Sequence, residues 1–320
     1  MADDISRSAL RAVFTHTNSL PGVLSRRQKI MGGHGTITLV GGNEQLLEQC
    51  WALADTCEQL WSRFRDDSDI SRINWAEGKP VRVAPMTHQL IAAMISGNTV
   101  TQGTYDPTLL PDVLQAGYVT SAVDSSRSTR LPESARAPGN LKGIQFSDEF
   151  VSVPRGTTLD PGGIAKGFAA DLIAQFALDQ GAYGVMVELG GDIVVQGDAP
   201  DGVAWRLGVQ DPFAHEGHAS IVRLQRGAIA TSSQVKKRFG EGENSTHHLI
   251  NPVTHSSAHT QAQTVTVIAA SGARAEVLTK RGFMDSPEEF LSWLPSVGGA
   301  GLIIFADGSQ QVSPNWSTYA

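Results

Sequence analysis

The segment from Thr158 to Asp171 reads Thr-Leu-Asp-Pro-Gly-Gly-Ile-Ala-Lys-Gly-Phe-Ala-Ala-Asp. Its glycine pair, Gly162-Gly163, precedes a helical pattern, which leaves backbone N–H groups at the positive end of a helix dipole. Lys166 adds a full charge in the first turn. Together they suit an anion, phosphate above all, although the same residues would also make an ordinary loop-to-helix joint. Val187-Glu-Leu-Gly-Gly-Asp-Ile193 sets a second pair, Gly190-Gly191, between two apolar runs. That is a turn between strands, either open to a ligand or plain. Gly227 to Ser233 ends a strand in the hydroxyls of Thr231 and Ser232. His247 and His248 are adjacent, and in a strand they point to opposite faces, so they are poorly placed to chelate one metal.

The elements that position these residues are legible from periodicity. Asn43 is a helix N-cap, and Leu46, Leu47, Cys50, Trp51, Ala54, Cys57, Leu60, Trp61 and Phe64 follow at helical spacing. Further helices are expected over 86–101, 164–180 (closed by Gly181), 274–283 and 286–294. Strands are expected at 36–40, 204–209, 220–224, 229–231, 265–269 and 302–305. Residues 119–140 read as an exposed loop. Residues 1–28 read as an N-terminal lead, and 29–320 as one domain. Runs of strands with inserted helices imply an α+β fold.

Composition narrows the function. The net charge of −7 over 320 residues argues against a chain that wraps nucleic acid. No run reaches the ~20 apolar residues of a membrane span. The polar start lacks the apolar region of a secretory signal, so a cytoplasmic protein is expected. Cys50 and Cys57 lie ~10.5 Å apart along one helix, too far for a disulfide, and read as core thiols. Dinucleotide fingerprint, Walker loop, C-x-x-C, H-E-x-x-H and G-x-S-x-G are all missing.

Eight segments in order resemble the FAD:protein FMN transferase (ApbE) family. They are Met31-Gly-Gly33, Phe64 to Asn74, Tyr105-Asp-Pro-Thr108, Leu159 to Gly167, Glu188 to Asp192, Ala230-Thr-Ser232, His248-Leu-Ile-Asn-Pro252 and Ala275-Glu276. The resemblance implies a two-lobed, T-fold-like α+β architecture with FAD in the cleft between lobes. It implies transfer of FMN from FAD to a threonine or serine hydroxyl of a target protein, with release of AMP. An FAD pyrophosphatase giving FMN and AMP, or a non-catalytic FAD-binding protein, would use the same cleft. The carried-over site has His248 as the base. Met31, Asp106, Thr108, Gly162, Gly163, Lys166, Gly190, Gly191, Asp192, Thr231 and Ser232 lie around FAD. The carbonyl of Ala165 and the Glu276 carboxylate would hold Mg2+.

Three departures from the family pattern bear on chemistry. Lys280 stands where the family has a metal-binding threonine, so metal binding is expected to be weak or absent, with the ammonium taking a catalytic share of its charge. Thr279 lies ~100° around the helix from that position and is expected to be a poor substitute. Asn251, Val253 and His255 replace Asp, Arg and Gly, and His255 matters if the backbone there needs positive φ. Ser233, Gln234 and Val235 replace Gly, Asp and Tyr.

Overall fold

Eight strands assemble into one sheet, with the apolar residues concentrated in its six inner strands. The computed structural model describes residues 21–121, 124–214, 217–234, 238–239 and 246–320. The strands are β1 (Val23–Ile30), β2 (Gly33–Val40), β3 (Gly184–Leu189), β4 (Asp192–Gly197), β5 (Gly227–Ser233), β6 (Ala262–Ala269), β7 (Ala300–Phe305) and β8 (Gln310–Val312). Their order in the sheet is their order in the chain, and every neighbouring pair is antiparallel. Long segments are inserted into this meander between β2 and β3, β4 and β5, β5 and β6, and β6 and β7.

Alternation gives the sheet two buried faces. Val185, Val187, Val194, Ala228, Ala230, Val265 and Val267 join the core beneath the helices. Val195, Ile229, Ile268, Leu302 and Ile304 pack on the other side. That side is covered by a hairpin, Trp205–Gln210 with His218–Leu224, and by Trp316.

The helices are α1 (Glu44–Trp61), α2 (Asp69–Trp75), α3 (Pro85–Val100), α4 (Leu110–Gln115), α5 (Ala165–Asp179), α6 (Gly272–Arg281) and α7 (Pro287–Trp293). Asn43 caps α1 by accepting from the Leu46 N–H at 2.8 Å. α5 packs on β3, β4, α1 and α6, and α6 packs on β5 and β6. The 119–140 loop holds no helix or strand among its described residues, apart from one bridge between Thr120 and Ser128.

Some elements differ from the sequence expectation. β1 begins at Val23, inside the segment read as a lead to residue 28. It is an edge strand whose Ser-Arg-Arg-Gln-Lys run masks its period, and Arg26 pairs there with Glu44 and Glu48 of α1. Helices α2 and α4, of seven and six residues, are too short to show a period and are not among the elements expected from the sequence. The two cysteines are buried and unpaired with each other. Burial pushes their thiols up to about 11 for Cys50 and about 12 for Cys57, where they stay protonated. Among the described residues, no helix is long and apolar enough to cross a membrane.

Candidate functional site

Two ammonium groups and two carboxylates gather where α5, α6 and the β3–β4 turn meet. Lys166, in the first turn of α5, bonds Asp192 at the start of β4 and reaches Glu276 of α6 at 3.0 Å. The other oxygen of Glu276 accepts from the Gly167 N–H at 2.8 Å. Asp192 and Glu276 are each only 3% exposed. Burial opposes the charge on Lys166, but the two carboxylates outweigh it and hold its pKa above the usual lysine value. Burial raises the Asp192 carboxyl despite Lys166, whereas Lys166 and Lys280 outweigh burial and lower that of Glu276.

Glycines let these elements close in. Gly190 and Gly191 both take positive φ, 63° and 98°, as a two-residue hairpin turn requires. A Cβ on Gly190 would lie 3.2 Å from the Lys166 stem. The β1–β2 turn is alongside: the Gly190 N–H donates to His34 O at 2.9 Å. Met31 forms that turn at φ 46°, and its N–H donates to Glu58 at 3.0 Å.

Lys280 projects from α6 to a second cluster. Its ammonium donates to the Ser232 hydroxyl at 2.9 Å, the Glu276 carbonyl at 3.0 Å and the Thr279 hydroxyl at 3.1 Å. Ser232 and Thr279 are themselves 2.6 Å apart. Thr279 therefore reaches the network despite its offset, because α6 packs against β5 and turns that face inward. Thr231 donates its N–H to Asp192 at 3.3 Å, and its hydroxyl meets Thr266 at 2.9 Å.

The glycine loop before α5 is more self-satisfied than an open anion seat. The Gly162 N–H donates to Asp160 at 2.9 Å, and the Ile164 and Ala165 N–H groups to Pro161 O. Gly163 takes φ 90°, and a Cβ there would sit 2.9 Å from the Lys280 stem and 3.4 Å from the Tyr105 ring. Tyr105 is buried, and its hydroxyl makes no hydrogen bond among the described residues. Burial first, then Glu276, Asp160 and Asp106, raise its pKa well above the usual value. Asp106 accepts from the N–H and hydroxyl of Thr108, and Thr108 accepts from the Gly139 N–H at 2.8 Å. Thr108 is fully buried, so it braces the loop around Asp106.

His248 packs edge-on to Tyr118, ring centroids 6.5 Å apart. Tyr118 lies under the guanidinium of Arg63, which also stacks on Phe64. Buried Arg63 donates to Thr129 at 2.7 Å and to Tyr118 O at 2.8 Å, and lies 3.6 Å from Asp160. Arg63, Tyr118 and Asp160 thus connect His248 to the Gly162 loop. Sequence reasoning passed over Arg63, which directly precedes the Phe64 segment, and the Tyr105 hydroxyl. His247 is a structural residue: Nε2 meets Ala258 O at 3.0 Å and Nδ1 accepts from the Leu249 N–H.

The departures have local answers. His255 does occupy positive φ, 56°, and its ring bonds Asp112 of α4 at 2.7 Å. Asn251 accepts from the Val253 and Thr254 N–H groups, keeping the turn without a charge. Gln234 bonds the Thr260 and Ala262 carbonyls. Val235 lies outside the described residues.

The magnesium implied by resemblance does not fit these side chains. Each oxygen of Glu276 already has a donor, and the Lys280 ammonium occupies the carbonyl of the same residue. Magnesium demands near-octahedral oxygen ligands at ~2.0–2.1 Å, and an adjacent ammonium repels it. Among the described residues no three His, Cys, Asp or Glu side chains gather as a metal site.

The ApbE family model matches residues 31–303. A FAD:protein FMN transferase of Vibrio cholerae is 30% identical over 245 residues, covering 74% of this chain and 72% of its own. One from Treponema pallidum is 27% identical over 279 residues, covering 82% and 77%. The crystal structure of the ApbE protein of Thermotoga maritima superposes with a TM-score of 0.81 at 26% identity, over 93% of this chain and 99% of that one. With the family model spanning most of its length and the α+β fold shared, the chain belongs to the ApbE family.

Proposed function

We propose that this chain transfers the FMN half of FAD to a hydroxyl of a target protein and releases AMP. The observation that carries the reading is the Lys166–Asp192–Glu276 cluster beside the Gly162-Gly163 loop, in a chain similar to named FAD:protein FMN transferases. A threonine or serine oxygen attacks the phosphorus attached to the riboflavin side. The bond from that phosphorus to the bridging oxygen breaks, and its electron pair leaves with AMP. His248 takes the hydroxyl proton, a task suited to a group that ordinarily titrates near neutrality. Negative charge building on the phosphoryl oxygens is met by the remaining N–H of Lys166 and by the nearby positive charge of Lys280, both already fixed in place. Asp192 and Glu276 orient Lys166. Met31, Asp106, Gly190, Gly191, Thr231 and Ser232 line the flavin side, and Thr108 holds Asp106.

The test is chromatography of FAD incubated with the protein and a threonine-bearing acceptor peptide. AMP together with flavin covalently attached to the peptide is expected. AMP with free FMN alone would make the chain a pyrophosphatase, and intact bound FAD would make it a binder. His248→Ala should retain FAD and lose at least ~100-fold in transfer rate, within the ~10²–10⁴-fold worth of acid–base catalysis. Unchanged transfer would end its assignment as base.

A further inference from the structure

We propose that the Lys280 ammonium takes the place of a divalent cation, so that the chain binds and cleaves the FAD diphosphate with two lysines and no metal. The inference rests on the transferase reading. Its geometry is independent of it. The Lys280 stem runs against Gly163, where a side chain would collide at 2.9 Å, so the stem touches the loop assigned to the diphosphate. Its ammonium is held by Ser232, Thr279 and the Glu276 carbonyl, three oxygens from two elements. These are neutral oxygens of the kind that hold a hard cation. Two ammoniums now face two buried carboxylates, Asp192 and Glu276, leaving the cluster neutral before the ligand arrives. An added divalent ion would have to displace or crowd Lys280. The buried Tyr105 hydroxyl, across Gly163 from that stem, is a further donor free of internal partners among the described residues.

The test compares FAD and riboflavin binding by flavin fluorescence, and AMP release, in EDTA and in magnesium. Wild type should bind FAD equally well, and release AMP at the same rate, in both. Lys280→Met, which keeps the stem and loses the charge, should weaken FAD on the order of 10- to 100-fold through loss of one positive charge beside the diphosphate. Riboflavin, which lacks the diphosphate, should be unaffected, a split that a merely structural role would not produce. Lys280→Thr should restore binding and AMP release only when magnesium is added, and Lys280→Arg should stay metal-independent. A wild type whose FAD binding or AMP release disappears in EDTA and returns with magnesium overturns the proposal and leaves the transferase reading intact. A wild type that binds no FAD in either buffer overturns both.

Discussion

Two buried carboxylates favour the charge on Lys166 against its partial burial, and the ammonium in turn favours theirs. Removing it strands Asp192 and Glu276 together, so Lys166→Met should cost about 3–5 kcal/mol of stability, the usual penalty for breaking a buried ion pair from one side. Adding Asp192→Asn should recover part of that stability in a thermal melt, while FAD affinity stays low and riboflavin affinity stays near wild type. Full recovery of FAD binding in the double variant would argue that Lys166 meets no phosphate. Tyr105 makes the opposite case. Its buried hydroxyl has no partner among the described residues, so Tyr105→Phe should leave stability unchanged or raise it by about 1 kcal/mol. A marked fall in melting temperature would reveal an internal partner. The sequence showed Lys166 and the glycine pairs because residue type alone announces them. It did not show that Glu276 takes up the Lys166 and Gly167 donors, since those bonds join residues far apart in the chain.

At the scale of elements, the site depends on how closely α5 and α6 approach. A Cβ on Gly167 would lie 2.2 Å from the Gly272 carbonyl oxygen, and one on Gly272 2.4 Å from the Gly167 carbonyl oxygen. Both obstacles are backbone and cannot rotate away. This contact lets the Gly167 N–H reach Glu276 and sets Lys166 beside the same carboxylate. Gly167→Ala should therefore cost about 2–3 kcal/mol through overpacking. It should also weaken FAD, by parting Lys166 from Glu276. A variant that melts like wild type would mean the helices separate without strain. The long helices α1 and α5 were readable because Asn43 and Gly181 mark ends that periodicity confirms. Strand β1 was not, because an edge strand needs only one buried side and here carries its charges in a row.

The meander brings α5 and α6 onto one face of the sheet although β3 to β6 separate them in the chain, and Asp171 joins them there. Its carboxylate accepts from the Gly272 N–H at 2.6 Å and the Ala273 N–H at 2.9 Å, capping the α6 start. Burial pushes its pKa up to about 6; the two N–H groups pull it down, and Glu276 pushes it further up. An unfolded aspartate titrates near ~3.9. Between those values the native chain holds a proton that the unfolded chain has lost. Stability from this group is thus present below pH ~4 and is lost as pH rises through about 6. The exposed acids Asp67, Asp124, Asp201, Glu289 and Asp307 have the opposite sign, because each has its pKa lowered by nearby donors and gives up its contribution only in stronger acid. Their window lies below that of Asp171, so the two effects separate on the pH axis. Asp171→Asn removes the titration while keeping an oxygen for the helix cap. Relative to wild type, the variant should gain melting temperature steadily between pH ~4 and about 6 and hold a constant offset above it. An offset that is flat across that window would mean the Asp171 carboxylate is already ionised in the fold and that the cap, rather than its burial, governs the charge.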